Sequence, residues 1–178
     1  MLDVPASIRE RALDDAAAVI ELMRTTHQGD GYPRYLPEDL SAFACDPREL
    51  AAWVAEEDGS VVGHVALHPG AGDPAAAVAG PALGLAPERT AVVARLMVQP
   101  GSRRRGVARQ LLNAAADHAR AHRLRLVLDV LETSLPARAL YEQLGWTLVG
   151  PLLLPVHGHG QLRLAVYLSP ENAASSEA

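Results

Sequence analysis

The stretch Leu96-Met97-Val98-Gln99-Pro100-Gly101-Ser102-Arg103-Arg104-Arg105-Gly106-Val107-Ala108-Arg109 constrains this chain more than any other. It joins the end of an apolar strand, a basic turn and the start of a helix. Thr90 to Val98 reads as the strand, and Pro100-Gly101-Ser102 ends it. Val107, Leu111, Leu112 and Ala115 then fall on one face of a helix expected over Val107 to His122. The first turn of a helix carries backbone N–H groups without intrahelical acceptors and a partial positive charge. Three arginines there are electrostatically misplaced unless an anion joins them. Gly106 lets backbone approach a phosphate closely, and guanidinium groups add charge-assisted contacts. The segment suits a pyrophosphate; the alternative is a solvated charge run.

The remaining chain supplies an α/β pattern. Ser7 to Arg11 is a candidate strand with Ile8 inward and Arg9 outward. Asp14 or Asp15 can cap a helix ending near Arg24, with Leu13, Ala17, Ile20 and Met23 near helical spacing. A loop from Thr25 to Pro37 follows, then a short helix over Glu38 to Cys45. Ala51 to Glu56 and Val61 to His68 read as a hairpin around Glu57-Asp58-Gly59-Ser60. Pro69 to Arg89, rich in Gly, Ala and Pro, has little periodicity and is expected to be a long loop. Leu124 to Val130 is a buried strand, and Ala137 to Leu144 a helix closed by Gly145. Strands near Trp146 to Val149 and Leu162 to Leu168 flank a loop holding His157 and His159. Residues 1–168 are expected to form one domain and 169–178 a disordered tail.

Composition removes several classes. All sixteen basic residues are Arg, so a Walker-type phosphate loop, which needs Lys, is excluded. A net charge of −5 argues against a general nucleic-acid binder. One cysteine, Cys45, leaves no internal disulfide. No apolar run approaches a membrane span and no secretory leader is visible, which points to a cytoplasmic protein without a membrane partner.

The central segment resembles the GNAT acetyltransferase superfamily. Arg103-Arg104-Arg105-Gly106-Val107-Ala108 is similar to its (Gln/Arg)-x-x-Gly-x-(Gly/Ala) signature, and Leu96-Met97-Val98-Gln99-Pro100 to its Leu-x-Val-x-Pro strand end. Downstream, Ala137-Arg138-Ala139-Leu140-Tyr141-Glu142-Gln143-Leu144-Gly145-Trp146 resembles its Ala-x-x-Leu-Tyr-x-x-x-Gly-Phe segment, with Trp for Phe. The resemblance covers roughly 91–149. It implies a mixed, mostly antiparallel sheet of six to seven strands flanked by helices and splayed at the coenzyme site. It also implies transfer of acetyl from acetyl-CoA to a primary amine, with no metal. Leu96, Met97 and Val98 would pair with the pantetheine arm through their backbone, and one of their N–H groups would polarise the thioester carbonyl. Backbone N–H groups across Arg103, Arg104, Arg105, Gly106, Val107, Ala108 and Arg109 would hold the pyrophosphate. Tyr141 would be the general acid for the departing thiolate; the alternative is a packing role.

Two features depart from the family pattern. Ser134 stands where the family often has Asn, and can still hydrogen-bond the coenzyme. The strand Ala91 to Val98 lacks the Glu that serves many members as base, leaving Glu56, Glu57, His64, His68 and Glu88 as candidates. Asp129 is read as structural. His157 and His159 have no third ligand nearby and are read as loop residues, with lining the acceptor pocket as the alternative. Asp30, Tyr32 and Tyr35 are expected at the acceptor pocket, where Asp30 can hold an ammonium; Tyr32 and Pro33 closing a turn is the alternative. A homodimer stays open. The competing readings are a non-catalytic acyl-CoA-binding module, and an acyltransferase using another acyl-CoA or a hydroxyl acceptor.

Overall fold

The computed structural model describes residues 6–156 and 160–170. The fold is α/β. Seven strands form an open sheet: β1 Ser7–Glu10, β2 Ala51–Glu57, β3 Ser60–Pro69, β4 Thr90–Val98, β5 Arg125–Leu131, β6 Thr147–Val156 and β7 Gly160–Leu168. Their order is β1-β2-β3-β4-β5-β7-β6. β4 and β5 pair in parallel, whereas the β1–β2, β2–β3, β5–β7 and β6–β7 pairs are antiparallel. The helices are α1 Ala16–Asp30, α2 Leu40–Ala44, α3 Pro74–Leu83, α4 Val107–Ala121 and α5 Leu135–Gln143. The chain forms two compact units, one within 6–68 and 93–117, the other within 69–92 and 118–170.

In the first unit, β2 and β3 form the expected hairpin. Its turn uses left-handed Asp58 (φ 48°) and Gly59 (φ 76°), which match the twist of the flanking strands. α1 runs to Asp30, six residues beyond the expected end at Arg24. The Thr25 and Thr26 hydroxyls donate to carbonyls one turn back, and left-handed Gly31 closes the helix on the His27 carbonyl. Asp15 does not cap α1 with its side chain; its carboxylate accepts from Arg9 and from the Ala12 N–H. The buried face is Val19, Leu22, Met23 and Thr26, while Leu13 is 92% exposed in a preceding 3-10 turn. This face packs with Ala44, Val54 and Met97.

In the second unit, the expected long loop contains α3. Asp73 accepts from the Ala75 and Ala76 N–H groups, Pro74 begins the helix, and left-handed Gly84 ends it. Ala75 and Ala79 pack on Val127 of β5 and Val166 of β7. The helix shows no apolar stripe because small apolar residues lie on nearly all its faces. β6 and β7 also continue past the expected ends, to Val156 and from Gly160, with a register shift between Leu148 and Gly150. β4 and β5 pair over Thr90–Arg125, Ala91–Leu126 and Val92–Val127.

Candidate functional site

β4 carries a kink within the first unit. Arg95 is left-handed at φ 54°, a conformation costing a non-glycine residue roughly 1–2 kcal/mol. A buried network surrounds it. Arg95 Nη1 donates to Glu49 Oε1 at 2.8 Å and to His68 Nε2 at 2.6 Å, and the guanidinium lies 4.3 Å from the centre of the Phe43 ring. Arg11 Nη2 donates to the other Glu49 oxygen at 2.6 Å, and Arg11 Nη1 to the Ala44 carbonyl at 2.8 Å. The Glu49 side chain is only 5% exposed. Burial disfavours its charge, but the Arg11 and Arg95 guanidiniums donating to it outweigh that and hold its pKa below the ordinary value.

His64 is fully buried beside this network. Its Nδ1 lies 3.1 Å from the Arg95 carbonyl, which can only accept, and its Nε2 lies 3.3 Å from Arg11 Nη1, which can only donate. The ring is therefore neutral, with the proton on Nδ1. Burial pushes its pKa down to about 4.

After the kink, the Met97 side chain is buried against α1, with Thr26 Oγ1 3.7 Å from its sulfur. The Gln99 N–H then donates to the Val62 carbonyl at 2.8 Å. The basic turn follows. Arg104 (φ 61°) and Gly106 (φ 84°) are both left-handed, and a Cβ added at Gly106 would meet only the Gln110 amide nitrogen, at 3.9 Å. The turn thus has open space at its glycine, as a phosphate cradle requires.

Two of its arginines already meet carboxylates. Arg103 Nη1 is 2.7 Å from Asp30 Oδ2 while its Nε donates to the Val98 carbonyl. Arg105 Nη1 and the Ser102 hydroxyl both donate to Glu57 Oε2. Arg104 and Arg109 are exposed and make no ion pair among the described residues. Val107 is buried and Ala108 partly so.

Asp30, expected at the acceptor pocket, ends α1 and pairs with Arg103. Tyr32 is 41% exposed and within electrostatic reach of Arg95, and Tyr35 is half-buried. His27 Nδ1 donates to the Pro33 carbonyl at 2.7 Å and ties this loop to α1.

In the second unit, Tyr141 is buried on α5, with ring centres 5.9 Å from Trp146 and 6.0 Å from Tyr167. The Tyr167 hydroxyl accepts from Arg138 Nε and donates to Glu142 Oε1, so one buried phenol holds two side chains of α5. Ser134 precedes α5, and its hydroxyl makes no capping bond to the helix. Asp129 keeps solvent contact, yet desolvation by the surrounding protein, aided by Asp73, raises its pKa to about 6.

The candidate bases differ in environment. Glu56 accepts from Arg9 Nε, Glu57 from Ser102 and Arg105, and His68 from Arg95. Glu88 is exposed. His157 and His159 lie outside the described residues. Among the described residues no cluster of three metal-ligating side chains occurs, and no helix is long and apolar enough to cross a membrane. The network joining Arg11, Glu49, His64, His68 and Arg95 has no counterpart in the sequence reading. Its members sit on separate elements at no characteristic spacing, and only isolated charges in apolar strands hinted at it.

The acetyltransferase (GNAT) family model matches residues 16–146. No curated protein matches the sequence. Several solved structures share the fold. One is the ribosomal-protein-S18-alanine N-acetyltransferase from Escherichia coli, 18% identical with a TM-score of 0.68, covering 97% of this chain and 98% of that one. A second is an N-acetyltransferase from Staphylococcus aureus Mu50, 22% identical with a TM-score of 0.67, covering 93% and 98%. A third is a putative acetyltransferase from Salmonella typhimurium with its cofactor acetyl-CoA, 18% identical with a TM-score of 0.70, covering 98% and 99%.

Proposed function

The chain belongs to the acetyltransferase (GNAT) family, and on that premise we propose that it moves acetyl from acetyl-CoA to a primary amine by direct transfer. The observation that carries this reading is the strand–turn–helix of 96–109. Its left-handed Gly106 opens on free space at the start of α4, beside the exposed Arg104 and Arg109.

The coenzyme supplies an activated thioester. Backbone groups of Leu96, Met97 and Val98 bind its pantetheine arm, and one of their N–H groups polarises the carbonyl. The turn Arg103 to Arg109 holds the pyrophosphate, and Ser134 adds a hydrogen bond. The amine nitrogen attacks the carbonyl carbon, the C–N bond forms and the C–S bond breaks. The departing sulfur takes a proton from the Tyr141 hydroxyl, which regains it from solvent, and the nitrogen gives its proton to water. Tyr32 and Tyr35 line the acceptor side. Asp30 either holds the incoming ammonium or tunes Arg103. The catalytic domain spans residues 1–168.

A binding module without turnover is the second reading. Its support is that β4 lacks a Glu and that Glu56, Glu57 and His64 are engaged in other contacts.

Free-thiol release from acetyl-CoA or succinyl-CoA, with panels of amines and alcohols, separates these readings. Amine-dependent release from acetyl-CoA is expected. Tyr141→Phe should then lower kcat by about ten- to a thousandfold and leave the acetyl-CoA Kd nearly unchanged. Coenzyme binding without thiol release for any acceptor in the panels favours the binding module. Full activity of Tyr141→Phe across pH makes that residue a packing group.

A further inference from the structure

The kink at Arg95 immediately precedes the backbone groups of Leu96 and Met97. A left-handed arginine in an apolar strand is unfavourable by itself, so its surroundings must hold it. The Arg95 side chain, 10% exposed, is gripped by Glu49 and His68, with Phe43 against its face. That grip fixes the side chain but does not touch the peptide plane after Arg95. The plane includes the Arg95 carbonyl and the Leu96 N–H. Its carbonyl is held by the His64 Nδ1–H at 3.1 Å.

We infer that His64 is a positioning residue, whose Nδ1–H locks the Arg95–Leu96 peptide and so aims the following β4 N–H groups at the thioester carbonyl of bound acetyl-CoA. This rests on the coenzyme reading of Leu96 to Val98 given above.

Each part of the lock has a structural reason. Arg11 Nη1 faces Nε2 and can only donate, which fixes the proton on Nδ1. Arg11 is itself anchored on Glu49 and on the Ala44 carbonyl. Gly63, beside His64, sits where a Cβ would come within 3.0 Å of Leu111 and 3.1 Å of Val107. β3 therefore lies close against α4 at this point, which fixes the strand backbone that carries the imidazole. A backbone donor held this way needs no reorganisation as charge develops on the thioester oxygen.

Isotope-edited infrared spectroscopy of acetyl-CoA labelled with ¹³C at the thioester carbonyl tests the inference without an acceptor. In the wild type, binding should move the carbonyl stretch below its frequency in free acetyl-CoA. His64→Asn keeps an amide donor near the Nδ1 position and should retain most of that shift. His64→Leu has no donor and should lose more than half of it, while still melting cooperatively and binding acetyl-CoA. His64→Gln, whose amide reaches past the Nδ1 position, serves as a second donor-deficient variant if the leucine protein is unstable, and should behave like it. A folded leucine or glutamine variant with the wild-type frequency overturns the inference, as does an asparagine variant no better than leucine. A wild type that binds acetyl-CoA without any shift overturns the inference alone. A wild type that does not bind acetyl-CoA overturns the coenzyme reading and the inference with it.

Discussion

Two groups of arginines, one buried and one at the surface, live under opposite rules. Arg11 and Arg95 are largely buried, share Glu49 between them, and each also meets an imidazole, His64 for Arg11 and His68 for Arg95. Arg103 and Arg105 sit at the surface turn, each against one carboxylate, with Arg104 and Arg109 exposed beside them. The buried group cannot exchange partners without leaving a charge in a poor medium, so it fixes backbone shape. The surface group is screened by water, and its carboxylates can yield to a phosphate at little cost. Similar chemistry thus serves geometry in one place and exchange in the other.

Breaking the buried side of this contrast should have the largest effect. Glu49→Ala leaves two buried guanidinium groups without their shared anion and should cost about 3–5 kcal/mol of unfolding free energy, read by urea denaturation. A loss below about 1 kcal/mol would place this network in the same class as the surface pairs.

Next in size is the pH dependence from His64, with Arg11, Arg95, Glu49 and His68 as its charged or titratable neighbours. Its folded pKa of about 4 lies below the ordinary 6.5, so the unfolded chain binds the extra proton between these values. Stability therefore falls as pH drops from about 6.5 to 4, by on the order of 3 kcal/mol. His64→Asn removes that titration and should flatten the curve in this window, relative to wild type, in denaturant unfolding run across pH. Parallel curves for the two proteins would contradict the neutral buried imidazole.

The smallest effect belongs to the surface. Asp30→Asn should change stability by less than about 1 kcal/mol. It should also tighten acetyl-CoA binding about two- to fivefold at low salt, since Arg103 no longer has a competing carboxylate. If Asp30 instead acts on the acceptor, the variant raises acceptor KM and leaves the coenzyme Kd unchanged.

The sequence made the central segment legible because its signals are local. Strand, turn and helix follow one another in Thr90 to Ala121, and the structure has them within one or two residues. The β2–β3 hairpin was readable from Asp58-Gly59 for the same reason. α3 was not, although Asp73-Pro74 and Gly84 are ordinary helix boundaries. Its Ala-rich body has no polar face to generate a period. The end of α1 was misread because Thr25 and Thr26 resemble loop residues until their hydroxyls are seen bonding back along the helix. The Arg95 kink and its clamp were out of reach, since they depend on contacts between residues up to 53 positions apart. The pairing of Asp30 with Arg103 was out of reach for the same reason, since the two residues lie on separate elements far apart in sequence.

Calorimetric titration of acetyl-CoA into wild type and Gly106→Val tests the coenzyme site directly. At φ 84° a β-branched side chain is strained, and its Cβ enters the open space proposed for the pyrophosphate. Micromolar-range affinity is expected for the wild type, on the order of −8 kcal/mol. No measurable binding is expected for the variant, with its cooperative melting intact. Equal affinity in a folded Gly106→Val protein would contradict the assignment of the turn to the coenzyme.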